Sequence, residues 1–205
     1  MFIEESFWIR KTLNQLKPKS NNNEVANLGS STHHFRTVIQ PHIHTNLIGP
    51  LIKNCWHINN IDCKKDEGVD LIADVAFPEF AKGHTNKFAL TICTNMLEHV
   101  ENIPAVVNNL LTITITGGYI LITVPYKYKL HYDPIDNGFR PKPSEIVSLF
   151  PHHSVKVIDS AVIIIHNKTY YQIKKSRFPL WGYRERIKYY LGIKHKVSGV
   201  LLQVL

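Results

Sequence analysis

The chain has 205 residues, 44% of them hydrophobic and 20% charged, which suits one globular domain with a full core. No apolar run is long enough to span a bilayer; the longest, residues 155–165, is broken by Lys156, Asp159 and Ser160. The net charge of +8 concentrates in residues 168–196, where nine Lys or Arg face Glu185 alone, a pattern of either a solvated basic face or a surface for an anionic partner. Glu4 and Glu5 stand where a signal peptide would be basic, and Cys55, Cys63 and Cys93 form neither a CxxC nor a paired framework. A reduced, cytoplasmic setting is therefore expected.

Residues 2–16 carry Phe2, Ile9, Leu13 and Leu16 at helical spacing, and Pro18 with the polar run after it ends the helix. Residues 24–28 read as a first strand that breaks at Gly29 into Ser30, Ser31 and Thr32. Glycine permits a sharp turn and close ligand approach, and the small hydroxyl residues add donors. Taken alone, Val25-Ala26-Asn27-Leu28-Gly29-Ser30-Ser31-Thr32 is equally an ordinary strand-to-loop turn, because only the first glycine of a nucleotide-loop fingerprint is present. His33, His34, His42 and His44 fall in a loop-like stretch without a carboxylate or Cys at ligand spacing, so no metal site is expected there. A helix is expected over residues 46–54 with Pro50 in its first turn.

Residues 55–61 form the second predicted strand, ending at Asp62, and residues 69–73 lead to Asp74. Residues 76–80 read as a turn or short helix. Residues 88–93 are uninterrupted apolar, as in a strand buried on both faces, closed by Thr94-Asn95. Residues 96–111 read as helical, split at Pro104. Thr116-Gly117-Gly118 reads as a turn before a buried strand over 119–124, closed by Pro125. A polar, aromatic loop over 126–140 precedes a short helix over 144–150 with Ser144 as N-cap. Residues 155–166 and 168–173 look strand-like and close enough for an antiparallel hairpin about Asn167. Residues 183–191 read as a basic aromatic helix and 197–205 as a closing strand. Alternating strands and helices imply a doubly wound, mostly parallel α/β sheet with an antiparallel edge.

In such a sheet ligands bind at the carboxyl ends of the strands. These ends are Asn27 to Ser31, Asp62, Asp74, Thr94-Asn95 and Pro125-Tyr126. Two strand-end carboxylates suit a ribose diol and an amino-bearing base. Asp62 lies 33 residues past Gly29, more than the roughly 20 of a nicotinamide-dinucleotide fold.

Three stretches carry a resemblance: residues 68–74, residues 88–100 with Leu97-Glu98-His99-Val100 after the fourth strand, and Gly117-Gly118 leading to Pro125. The chain resembles class I S-adenosylmethionine-dependent methyltransferases with a degenerate glycine loop. The resemblance implies a seven-stranded Rossmann-like sheet with an antiparallel last strand. It implies one methyltransferase-like domain over 1–205: an N-terminal helix and linker over 1–23, a cofactor-binding core over 24–150, and C-terminal strands with a basic helix over 151–205. S-adenosyl-L-methionine is the implied cofactor. Asn27, Leu28, Gly29, Ser30 and Ser31 would lie under its methionine part, and Asp62 would hold the ribose hydroxyls. Asp74 with Val75 would read adenine, and Thr94 and Asn95 would line the floor near the sulfonium. Leu97, Glu98 and His99 would start the following helix. The chain departs from the family pattern at Asn27, where an acid is usual, and at Ser31 and His33, where glycines are usual.

In-line methyl transfer needs alignment and a proton acceptor but no covalent intermediate. His131 is the expected base, with Asp133 or Asp136 to orient it. The expected partner is a small-molecule methyl acceptor. A catalytically impaired binding protein on the same fold is the alternative, motivated by the altered loop. A nucleic-acid methyltransferase is a second one, motivated by the basic segment with Phe178, Trp181, Tyr183, Tyr189 and Tyr190 interleaved; no Asn-Pro-Pro-Tyr-type element follows the fourth strand to support it.

Overall fold

The structure is a computed structural model that describes residues 1–18, 21–132, 134–171 and 187–205. Seven strands form one sheet in the order β3-β2-β1-β4-β5-β7-β6. They are β1 (Glu24–Leu28), β2 (His57–Asp62), β3 (Leu71–Ile72), β4 (Phe88–Thr94), β5 (Thr114–Lys127), β6 (Val155–Ile164) and β7 (Lys196–Val204). β1 pairs in parallel with β2 and β4, β2 with β3, and β4 with β5. β7 runs antiparallel to β5 and to the edge strand β6. Strand order therefore reverses at β1 and β4, which opens the crevice where a ligand can reach strand ends.

The central strands are apolar on both faces and feed two cores. From β5, Ile120, Ile122 and Val124 face one layer, with Leu97, Val106, Val107, Leu110 and Ile146 packed on it. Leu121 from the same strand faces the other layer, against Ile9, Leu13, Leu47 and Leu51. That alternation is the period-two geometry of a strand covered on both sides. The first layer holds α4 (Pro78–Lys82), α5 (Ile103–Ile113) and α6 (Pro143–Val147); the second holds α1 (Ile3–Leu13), α2 (Pro41–Ile43) and α3 (Gly49–Lys53). Asn102 caps α5 through its side chain, which accepts from Ala105 N, and Pro104 sits in the first turn, where no N–H is needed.

Four expectations are corrected. The stretch after His34 is helical rather than loop-like: π-helical turns at Phe35–Ile39 and His44–Ile48 flank α2 and run on into α3. Thr116-Gly117-Gly118 is not a turn but part of β5, which starts at Thr114. A Cβ at Gly118 would stand 2.8 Å from the Ile115 carbonyl and 3.0 Å from that of Ala89, so the glycine serves a close backbone approach where the β4–β5 register shifts. The Asn167 hairpin is replaced by a 3-10 turn at Lys168–Tyr171, and the antiparallel partner of β6 is β7. α6 is capped from Glu145, whose carboxylate accepts from Lys142 N, rather than from Ser144. The expected basic helix over 183–191 lies partly outside the described residues. Among the described residues no helix is long and apolar enough to cross a membrane.

Candidate functional site

The strand ends open into a cleft of about 1720 Å³. Asn27, Gly29, Ser30, Ser31, Asp62, Asp74, Val75, Thr94, Asn95 and His131 all line it. Leu28 and Leu97 do not; both are fully buried in the core beneath. The volume exceeds the roughly 300–1,000 Å³ of an ordinary small-molecule pocket, so a nucleoside-sized group and a second molecule fit side by side.

The loop after β1 is a preformed cradle. Gly29 has φ +64°, and a Cβ there would lie 3.0 Å from Met96 Cγ. Ser31, also left-handed at φ 56°, donates its N–H to Asp62 Oδ2 at 2.7 Å. The other Asp62 oxygen accepts from Lys64 N at 3.0 Å. Asp62 thus ties the β1 and β2 loops while still facing the cleft. Behind this loop lies Arg36, which sequence inspection missed. Its guanidinium is 5% exposed and donates to the carbonyls of Ser30, Ser31 and Gly68, the first at 2.9 Å and the last at 2.7 Å. Burial lowers the Arg36 pKa, while Asp70 and Asp62 nearby oppose that shift. Three carbonyls, those of Ser30, Ser31 and Gly68, thus converge on one cation behind the loop.

On the β3 side, Asp74 Oδ1 accepts from Ala76 N at 2.9 Å, an Asx turn. Asn109 from α5 donates to the carbonyls of Val75 and Phe77 at 2.9 and 3.1 Å, fixing this wall. At the floor, Asn95 has φ 49°. Its side chain donates to Glu5 Oε1 at 2.6 Å; the same oxygen accepts from Thr123 Oγ1 at 2.6 Å, and Oε2 accepts from Phe2 N at 2.9 Å. Glu5 is fully buried. A residue of the N-terminal helix therefore orients the cleft floor, and no local pattern in the sequence signals it.

The far end of the cleft is built by the loop after β5. Asp136 lies beside His131: the His131 backbone N–H donates to Asp136 Oδ2 at 2.7 Å, and Nδ1 stands 3.3 Å from the same oxygen without a hydrogen bond. Burial pushes Asp136 up, but the bonds from Arg140, His131 N and Gly138 N outweigh it and hold the carboxyl well below the usual range. Burial, with His99 adjacent, lowers the His131 pKa, so the ring is neutral near neutral pH. Asp133 lies outside the described residues. Asn137 donates to the carbonyls of Leu97 and Val100 at 2.8 and 2.7 Å, lacing this loop to the turn after β4. That turn, a 3-10 segment at Leu97–His99, precedes α5 instead of opening it. It carries Glu98, whose carboxyl burial pushes up to about 8, with Glu5 adding to the rise and Arg140 opposing it.

No protein-family profile matches the chain, and no curated protein sequence does. Solved structures do. Geranyl diphosphate methyltransferase in complex with S-adenosylmethionine aligns with TM-score 0.62 at 8% identity, over 99% of this chain and 85% of that one. The cyclase SpnF aligns with TM-score 0.59 at 11% identity, over 98% of this chain and 80% of that one. Haemonchus contortus phosphoethanolamine N-methyltransferase 2 with S-adenosyl-L-methionine aligns with TM-score 0.58 at 11% identity, over 98% of this chain but 52% of that one. The chain has the fold of class I S-adenosylmethionine-dependent methyltransferases.

Proposed function

We propose that the chain is an S-adenosylmethionine-dependent methyltransferase that acts on a small molecule by in-line methyl transfer. The observation that carries this reading is the convergence of four strand ends, those of β1, β2, β3 and β4, on one cleft. Gly29 without a Cβ, the Asp62 carboxylate, the Asp74–Val75 wall and the Asn95 floor match the chemistry of a methionine tail, a ribose, an adenine and a sulfonium in that order. The neighbours solved with S-adenosylmethionine or its analogues support the same cofactor.

The bound cofactor supplies a methyl group already activated on sulfur. The chain's own residues then align the acceptor and take its proton. His131, half-buried at the far wall, is the proton acceptor, its ring nitrogen Nδ1 standing 3.3 Å from Asp136 Oδ2. The laced loop of residues 128–140 keeps that ring in place.

The competing reading is a binding protein on the same fold. It is favoured by Asn27, which donates to Asn60 Oδ1 at 3.0 Å and offers no charge to an ammonium, and by a cyclase among the neighbours. Calorimetry with S-adenosylhomocysteine separates the first claim from chance. Absent binding at millimolar ligand, or an Asp62→Ala variant that binds like the parent, removes the cofactor reading. Binding without methyl release from any acceptor in a broad small-molecule screen favours the binding protein.

A further inference from the structure

Glu98 poses a problem that methyl transfer does not solve. Its side chain is 0% exposed, yet neither carboxylate oxygen has a hydrogen-bond partner among the described residues. An unsatisfied buried carboxylate is expensive, and native structures rarely leave one without a ligand. His99 Nε2 lies 3.8 Å from its Oε1. The other nitrogen of that ring, Nδ1, is 2.6 Å from the Ile135 carbonyl and must donate to it. With Nδ1 so engaged, Nε2 is the ring atom that faces the unpartnered Glu98 carboxyl. At 3.8 Å the two groups are too far apart to hydrogen-bond, so the His99 ring does not satisfy the Glu98 carboxyl. His131 completes the group: one ligand atom each from Glu98, His99 and His131 lie within 4.8 Å of one another. The His99 and His131 rings stand edge to face at 4.9 Å between centroids.

We propose that Glu98, His99 and His131 form a divalent transition-metal site at the far end of the cleft. Two imidazoles and a carboxylate, all from rigidly tied backbone, are a donor set for zinc-like ions. The outer contact of His99 follows the pattern that orients ligating histidines, a backbone carbonyl accepting from Nδ1, while Asp136 Oδ2 stands 3.3 Å from His131 Nδ1 without a hydrogen bond. Ligands at about 2.1 Å and a tetrahedral angle stand about 3.4 Å apart. The Glu98–His99 separation needs a few tenths of an ångström of closure, and the wider pair about one ångström of side-chain movement. His99 and His131 both line the cleft, so the remaining coordination positions open toward it. The ligand class this implies is an oxygen donor: a hydroxyl, carboxylate or phosphate. On the methyl-transfer reading, and resting on it, that donor belongs to the methyl acceptor, whose proton the ion makes acidic enough to leave to solvent; in the metal-bound form His131 is a ligand in place of the proton acceptor described above.

The experiment is zinc titration of the chelator-treated full chain by calorimetry, with cobalt absorption as a second probe. One saturable Zn²⁺ per chain is expected, with a visible cobalt band of a low-coordinate site. Glu98→Gln and His131→Ala each weaken Zn²⁺ binding at least tenfold and abolish the band. The paired change His152→Ala and His153→Ala, at exposed histidines elsewhere, leaves both unchanged and controls for surface binding. His131 is half-exposed, so its variant folds even where Glu98→Gln does not; circular dichroism checks both. No saturable binding by the parent, or equal binding by His131→Ala, overturns the site. S-adenosylhomocysteine affinity, measured on the same samples without metal, reports separately on the cofactor reading.

Discussion

Replacing Arg36 by Met keeps the apolar stem and removes the three bonds that hold the loop after β1. The carbonyls of Ser30, Ser31 and Gly68 lose a cationic donor. Each bond to a charged group is worth about 1.5–3 kcal/mol net. Three would sum to more, but losing the cost of a buried guanidinium offsets part of that, and removing one partner of a buried charge network typically costs about 3–5 kcal/mol. We expect a loss of about 3–5 kcal/mol in urea unfolding at unchanged m-value. The same change frees the cradle. Reordering even one loop residue on binding costs about 1–2 kcal/mol, so S-adenosylhomocysteine affinity should fall about tenfold. Arg36→Lys, a point donor unable to span the three carbonyls, should fall between. An Arg36→Met protein within about 1 kcal/mol of the parent, with unchanged affinity, would refute the idea that this residue holds the loop.

Three further changes probe the cleft. Asp62→Ala removes the carboxylate for the ribose and the acceptor for Ser31 N; S-adenosylhomocysteine affinity should drop about ten- to hundredfold in calorimetry. Gly29→Ala forces a Cβ to 3.0 Å from Met96 Cγ in a left-handed residue, and should cost about 1–3 kcal/mol in chemical denaturation. Asn95→Asp sets a second carboxylate against Glu5 where a bond of 2.6 Å now stands. The variant should be several kcal/mol less stable than the parent near about pH 7, and a thermal melt near about pH 4 should recover much of the gap as one of the pair takes a proton.

The sheet was legible because its signals are local. Mostly apolar runs at residues 88–93 and 119–124 mark buried strands, and Asp62 closes β2 and Asn95 follows β4 as their positions suggest. Other parts were not, for definable reasons. Ile43, Leu47 and Leu51 are buried at helical spacing; the helix expected over 46–54 took in the last two, but the histidines and Pro41 before it mask the period, so residues 35–44 read as a loop. Gly117-Gly118 spelled a turn, whereas the glycine is needed for backbone approach inside β5. Glu5 and Arg36 carry no local pattern at all. Glu5 meets Thr123, 118 residues away, and Arg36 meets Gly68, 32 residues away. Such partners become visible only when the chain is folded. Glu98 and His99 stood out as part of an element after the fourth strand but were expected to open the following helix, whereas they form a separate turn before α5. That Glu98 has no hydrogen-bond partner among the described residues is a tertiary property, because it depends on what the loop after β5 leaves beside it.

The most direct test is calorimetric titration of the unmodified full chain with S-adenosylhomocysteine, beside the Asp62→Ala variant. The expected result is one site per chain in the parent and a loss of about tenfold or more in the variant. A folded parent that shows no heat of binding at millimolar ligand would contradict a cofactor cleft at these strand ends.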